Sequence, residues 1–97
     1  MPKAYVIFQE QINDPDAMNA YTAKAMPTFG PGMTLGAVET SAEVLEGEWH
    51  GNQTVILEFE SVDAAKAWYN SPEYQEAIPL RQAAANCNAV IIKGFGA

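Results

Sequence analysis

Three side chains in the middle of the chain have the types and spacing of a metal site or an acid–base pair. Glu46, Glu48 and His50 are two residues apart, so an extended strand would place them on one face. Two carboxylates and an imidazole can bind Mn, Fe or Zn. Gly47 favours a turn there, and acidic hairpin tips are usually only solvated. The sequence therefore predicts no metal site, and it leaves His50 and Glu58 as the candidate catalytic acid–base residues.

The aromatic residues Trp68, Tyr69 and Tyr74 form the most distinctive cluster in the sequence. Aromatic side chains at helical spacing usually pack in a core, and this interpretation is favoured here. The alternative interpretation is functional, with the phenol of Tyr69 or Tyr74 pointing into a cavity between the helices and a sheet. Both interpretations place the cluster at a helix corner.

Arg81 is the only arginine in the chain, and it follows Tyr74 by two helical turns. Its guanidinium could clamp a ligand carboxylate, or it could form a surface ion pair with Glu73 or Glu76. Trp49 is a large apolar side chain in a polar hairpin, so we expect that hairpin to fold toward the aromatic corner. The predicted ligand-binding residues are Trp49, His50, Trp68, Tyr69, Tyr74 and Arg81.

Alternating apolar residues and turn signals predict the elements that position these side chains. Asp14, Ser61 and Ser71 are expected to cap three helices, and Pro79 is expected to kink or split the third. The predicted strands cover residues 3–10, 33–40, 52–60 and 87–93.

The resulting order, βαββαβ with an extra short helix before the last strand, predicts a ferredoxin-like α+β fold. Helices would cover one sheet face, and the other would carry Ile56 with either Val90 and Ile92 or Ala89 and Ile91. Such a face is too apolar to remain in water, which predicts a sheet-to-sheet homodimer. A monomer with a partly apolar sheet is the alternative.

Composition limits the partners and the compartment. The chain is expected to form one domain over residues 1–97, and it has twelve acidic side chains against five scattered basic ones. This balance predicts no binding to nucleic acid or to anionic membranes. Cys87 is the only cysteine, so it is expected to pack as a small apolar residue rather than pair or react. Together with the lack of a signal-peptide pattern, this favours a cytoplasmic location.

Several segments resemble the family called domain of unknown function 1330. They are Leu45–Trp49 (LEGEW), Leu57–Ser61 (LEFES), Ala64–Tyr74 (AAKAWYNSPEY) and Leu80-Arg81. The resemblance implies membership of the dimeric α/β-barrel group, whose ferredoxin-like subunits pair through their sheets. That group also contains cofactor-free monooxygenases and haem-degrading enzymes, so the resemblance does not define an activity.

The sequence therefore predicts a homodimer in which each subunit binds a small organic molecule, with organic acids among the candidates, in a pocket between helices and sheet, without a cofactor. If the chain is an enzyme, His50 and Glu58 would transfer protons, Tyr69 and Tyr74 would orient the ligand, and Arg81 would hold an anionic group. The alternative is a non-catalytic dimeric sensor or assembly module without a ligand.

Overall fold

A computed structural model describes residues 2–96 and has the predicted βαββαβ order. The four strands form one antiparallel sheet in the order β2-β3-β1-β4, and three α-helices cover one of its faces. This is the ferredoxin-like α+β fold. The elements are β1 Ala4–Ile12, α1 Pro15–Ala25, a 3₁₀ turn Met26–Thr28, β2 Met33–Glu39, β3 Gln53–Phe59, α2 Val62–Tyr69, α3 Pro72–Ala84 and β4 Ala85–Lys93.

The three helix caps are those that the sequence predicts. The side chains of Asp14, Ser61 and Ser71 each accept a hydrogen bond from a backbone N–H three residues later, at 3.1, 3.0 and 3.3 Å. Proline occupies the first turn of α1 and of α3, where no N–H is needed. Local side-chain chemistry therefore fixes where each of the three helices begins.

The third helix differs from the prediction. It is the longest of the three α-helices in residues 2–96, rather than a short extra turn, and it continues through Pro79 without a break. Pro79 is exposed, whereas Ala77 and Ile78 beside it are buried against the sheet and α1. Packing on that buried side offsets the hydrogen bond that the proline removes.

Register determines which residues share the uncovered face of the sheet. Ile7 pairs directly with both Ile56 and Val90, and Tyr5 pairs with Ile92. Directly paired residues of antiparallel strands point to the same side, so Val90 and Ile92 join Ile56 there, and Ala89 and Ile91 do not. We call this side the outer face and the opposite side the helix face.

The helix face holds the main core. Its sheet residues are Ala4, Val6, Phe8, Leu57 and Phe59, and they pack with buried helix residues of which Trp68 and Tyr74 are the largest. The Cα atoms span 38 × 36 × 15 Å, which corresponds to one sheet and one layer of helices. Within residues 2–96, none of the helices has the length and apolar character needed to cross a bilayer.

The loop between β2 and β3 covers residues 40–52, and Asn52 ties its end to β1. The Asn52 N–H donates to the Glu10 carbonyl at 2.8 Å, and its side chain bonds the N–H and C=O of Ile12 at 2.8 and 3.2 Å. Gly51 has φ of 91°, and a Cβ there would lie 2.3 Å from the Glu10 carbonyl oxygen. Glycine is therefore required where the loop meets β1.

Candidate functional site

A cavity of about 550 Å³ lies between α1 and the helix face of the sheet. Leu35 and Val38 of β2 belong to its wall and are about half exposed, so the cavity opens near the β2 edge. Its main apolar lining residues are Phe8, Met18, Phe29, Leu35, Val38, Val55 and Leu57. Its polar lining residues include Glu10, Asn19, Tyr21, Asn52 and Gln53.

Glu10 is the most unusual residue of the lining, because it is a carboxylate that is only 2% exposed. Its Oε1 accepts a hydrogen bond from Gln53 Nε2 at 2.8 Å. Burial raises the pKa of Glu10 above its ordinary value, while the Gln53 hydrogen bond and the charge of Arg81 oppose the rise. Every second residue of β1 is buried on the helix face, namely Ala4, Val6, Phe8 and Glu10. This alternation is the sequence signal that places Glu10 on that face.

Arg81 is buried beneath α3 at 4% exposure, so the surface ion pair with Glu73 or Glu76 is wrong. It lies on the buried face of α3 together with Tyr74, as its two-turn spacing predicts. The guanidinium carbon is 5.0 Å from the centroid of the Phe8 ring, which is a cation–π contact. Its Nε and Nη1 have no hydrogen-bond partner in residues 2–96.

Tyr74 and Tyr21 join α3 to α1 through their hydroxyl groups, whose oxygen atoms are 2.7 Å apart. Burial raises the pKa of both phenols, so both remain protonated near neutral pH. The Tyr74 ring lies 4.0 Å from the Trp68 ring and 5.7 Å from the Tyr69 ring, centroid to centroid. The aromatic cluster therefore packs in the core, and Tyr21 of α1 links it to the cavity, because Tyr21 belongs to the lining.

Trp49 and His50 lie at the other end of the sheet from the aromatic corner. Trp49 Nε1 donates to Thr54 Oγ1 at 2.8 Å, and His50 Nε2 lies 2.8 Å from the Asn86 carbonyl oxygen, to which it donates. Trp68, by contrast, packs on Phe59 at the end of β3. The prediction that the loop folds toward the aromatic corner is wrong, because the loop lies at the other end of the sheet, where Thr54 accepts the hydrogen bond from Trp49.

The six predicted ligand-binding residues therefore do not form one site. None of Trp49, His50, Trp68, Tyr69, Tyr74 and Arg81 belongs to the cavity wall, although Arg81 and Tyr74 contact Phe8 and Tyr21, which do. Any individual role of these six residues in ligand binding stays a prediction. The groups that sequence reasoning missed are Glu10, Gln53 and Tyr21.

Glu58 faces away from the cavity, and the thiol of Cys87 is held in its protonated, less reactive form. Glu58 lies on the outer face, where Lys3 Nζ and the Tyr5 hydroxyl donate to it at 3.1 and 3.3 Å. The thiol of Cys87 is half-buried, and burial with the nearby charge of Glu10 raises its pKa. In the part of the chain that the structure describes, no three His, Cys, Asp or Glu side chains are grouped to hold a metal ion.

Solved structures with the same fold cover almost the whole chain. A protein of unknown function from Rhodopseudomonas palustris has 21% identity and a TM-score of 0.79, over 99% of this chain and 85% of that one. A dimeric ferredoxin-like protein of unknown function from Thermobifida fusca has 17% identity and a TM-score of 0.66, over 95% and 91%. SnoaB, a cofactor-independent oxygenase from Streptomyces nogalater, has 13% identity and a TM-score of 0.68, over 100% and 97%. At these identities the likeness establishes the fold alone.

Sequence comparison identifies a family but no curated relative. A search of curated protein sequences finds no significant match. The sequence model of one family matches residues 3–95, which is nearly the entire chain. The chain therefore belongs to the family described as domain of unknown function (DUF1330).

Proposed function

We propose that this protein is a homodimer whose subunits each bind a small organic molecule in the cavity between α1 and the sheet. The cavity itself carries the proposal: its volume of about 550 Å³ is within the range of ligand pockets, roughly 300–1,000 Å³. Its walls are mostly apolar, and two of its polar residues, Glu10 and Gln53, lie together because they are directly paired in the sheet. Such a division suits a ligand with an apolar body and one polar head.

Two structural neighbours support parts of the proposal. SnoaB is described as a cofactor-independent oxygenase, so a protein of this fold can perform small-molecule chemistry without a cofactor. The proteins from Thermobifida fusca and Jannaschia are described as dimeric. Because identity to them is low, these descriptions support the proposal and do not transfer an activity.

The outer face supports the homodimer. Ile7, Ile56, Val90 and Ile92 lie side by side across the three strands β3, β1 and β4. Val90 and Ile92 are 49% and 47% exposed, which leaves a continuous apolar surface that a second sheet could cover. Light scattering at micromolar concentration should give twice the chain mass of 10.5 kDa. A constant monomer mass over a concentration series would contradict the homodimer.

Ligand binding can be tested with indole as a neutral probe in an NMR titration of backbone amides. Saturable shifts are expected for residues of β2, β3 and α1 that line the cavity. Val38→Trp should abolish them, because Val38 belongs to the wall and the larger side chain fills the space. Ala89→Trp is the matched control, since Ala89 is exposed and lies outside the cavity lining. No saturable shift with indole at millimolar concentration would instead favour a dimeric assembly module without a ligand.

A further inference from the structure

Glu10 is a buried carboxylate on the wall of the cavity, and it is the only Asp, Glu, Lys, Arg or His side chain among the lining residues in the part of the chain that the structure describes. Its 2% exposure leaves it almost no contact with bulk water. Burial raises its pKa, which means that the carboxylate lacks part of the solvation that it would have at the surface. Hydrogen-bond donors from the surroundings are therefore the available way to stabilise its charge.

The two carboxylate oxygens of Glu10 differ in what they contact. Oε1 accepts a hydrogen bond from Gln53 Nε2 at 2.8 Å, whereas Oε2 has no hydrogen-bond partner in residues 2–96. Within the same residues, the side-chain nitrogen and oxygen atoms that are both fully buried and without a partner belong to Arg81 alone. Oε2 is not one of them, so it retains accessible surface. Because Glu10 lines the cavity, Oε2 is the carboxylate oxygen that a ligand can reach.

Gln53 holds Glu10 in place for such a contact. The two residues are directly paired between β1 and β3, and Gln53 also lines the cavity. Its amide occupies Oε1 and leaves Oε2 open. An ionised carboxylate has about four lone-pair sites, so a donor from a ligand would add to the Gln53 hydrogen bond and would not replace it. The cavity therefore contains an oriented hydrogen-bond acceptor within mostly apolar walls.

The charge of Arg81 determines which kind of donor fits. Arg81 is 4% exposed and lies over Phe8, which is two residues from Glu10 on the same face of β1. Its positive charge already opposes the effect of burial on Glu10. A neutral N–H or O–H group on a ligand leaves this balance unchanged. An ammonium group would bring a second buried cation to one carboxylate and would lose its own hydration.

We propose that Glu10 Oε2 accepts a hydrogen bond from the ligand, so that the cavity selects small apolar molecules with a neutral N–H or O–H donor, such as N–H heterocycles, phenols and alcohols. The inference rests on the proposed ligand-binding function and specifies its ligand class. Apolar walls alone would bind molecules of one shape alike, with or without a donor. A molecule without a donor would cover Oε2 and leave it buried and unpaired, which is the reason for the selection.

The test compares indole with benzofuran in an NMR titration of backbone amides at pH 8. The two bicyclic molecules have nearly the same shape, and only indole carries an N–H donor. Indole should bind at least tenfold more tightly, because benzofuran leaves the carboxylate oxygen without a donor. Equal affinities, or tighter binding of benzofuran, would overturn the inference and leave the proposed function intact. Saturable binding of neither molecule would remove the proposed function as well.

A second pair of probes tests the charge of the donor. 2-Indanol and 2-aminoindane share one carbon skeleton, and the amine is protonated at pH 8, as a lysine side chain is. 2-Indanol should bind more tightly in the same titration, because its hydroxyl group can donate to Glu10 at a smaller cost in lost hydration. Tighter binding of 2-aminoindane would overturn the selection of neutral donors.

Two variants assign the preference to Glu10. Glu10→Leu removes the acceptor at similar size, so indole and benzofuran should then bind within about threefold of each other. Glu10→Gln replaces it if the leucine variant does not fold, and it should also narrow the ratio, because an amide oxygen is a weaker acceptor than a carboxylate. Glu43→Leu is the matched control and should keep the ratio, since Glu43 is exposed and lies outside the cavity lining. The full wild-type ratio in a folded Glu10 variant would exclude Glu10 as the acceptor.

Discussion

The two tryptophans lie on opposite faces of the sheet and make the same polar contact. Trp68 Nε1 donates to Thr28 Oγ1 at 2.9 Å, and Trp49 Nε1 donates to Thr54 Oγ1 at 2.8 Å. Their burial differs, because Trp68 is 7% exposed and Trp49 is 48% exposed. Trp68 also packs on Phe29 and Phe59 at centroid distances of 6.0 and 5.5 Å. The comparison shows that one chain buries the large side chains of its helix face, whereas it leaves those of the outer face partly exposed to solvent.

This difference matches the two proposed roles of the protein, ligand binding and self-association. The helix face has its aromatic core, its cavity and its buried charges within one chain, so the proposed ligand binding would take place there. The outer face presents aliphatic side chains and a partly exposed tryptophan, so we assign association to it. Substitutions on the helix face should change the stability of the fold, and substitutions on the outer face should change assembly.

The largest expected effect comes from truncating the buried tryptophan. Trp68→Ala should lower the free energy of unfolding by about 3–5 kcal/mol, because it opens a cavity among three aromatic rings, those of Phe29, Phe59 and Tyr74. Trp49→Ala is the matched control and should cost about 1 kcal/mol or less when the protein is monomeric. Urea denaturation followed by circular dichroism measures both. Equal losses in the two variants would break the distinction between the faces.

Charging the outer face should weaken association. Ile56→Asp or Val90→Asp should raise the dimer dissociation constant at least 100-fold, or about 2.7 kcal/mol, because each places a carboxylate in an apolar interface. Sedimentation or light scattering over a dilution series gives the constant. Ala89→Asp is the control, since Ala89 precedes Val90 but points to the other face. Dissociation by Ala89→Asp alone would mean that the helix face is the interface.

A smaller effect concerns the buried carboxylate. Because burial raises the pKa of Glu10 in the folded chain, its protonated form favours folding below the ordinary value of 4.5, and this contribution is lost as pH rises through the folded pKa. Unfolding free energies of the wild type and Glu10→Gln should therefore diverge in favour of the variant as pH increases from about 4.5. The hydrogen bond from Gln53 and the charge of Arg81 oppose part of the pKa rise that burial causes, which limits the difference between the two unfolding free energies. A gap that closes with increasing pH would contradict the burial of Glu10.

The smallest effect is chemical. The raised pKa of Cys87 keeps its thiol protonated, so alkylation by iodoacetamide at pH 8 should be slower than that of a free cysteine peptide. Mass spectrometry over time gives the rate. Denaturation should restore the peptide rate, and a fast reaction in the folded protein would show that Glu10 and the surrounding core do not shield the thiol.

Sequence patterns predicted the elements better than the site. Helix caps depend on side chains within three residues, and so Asp14, Ser61 and Ser71 could be identified without tertiary information. The choice between Val90 and Ala89 for the outer face stayed open, because alternation gives two phases and only pairing with Ile7 selects one. The fold could therefore be predicted from local rules, whereas the choice of which β4 residues face outward could not.

The candidate site depended on contacts between residues far apart in the chain. Glu10 and Gln53 are adjacent across two strands, and Arg81 reaches Phe8 from α3. Charged residues are usually exposed, so the sequence favoured solvent or a ligand for Arg81 rather than a buried position over a ring. The position of Trp49 also could not be predicted, because the loop 40–52 follows no short turn rule.

The central position of β1 also sets an order of events during synthesis. Its two neighbours in the sheet are β3 and β4, the third and last strands along the chain. The backbone hydrogen bonds on both sides of β1 therefore form only after later segments have been synthesised. Ile12 pairs with Ala85, and at roughly 5–20 residues per second a ribosome needs several seconds to pass from one to the other. Until then one edge of β1 lacks its partner strand, so the sheet presents an unpaired interior strand to its surroundings while β4 is being made.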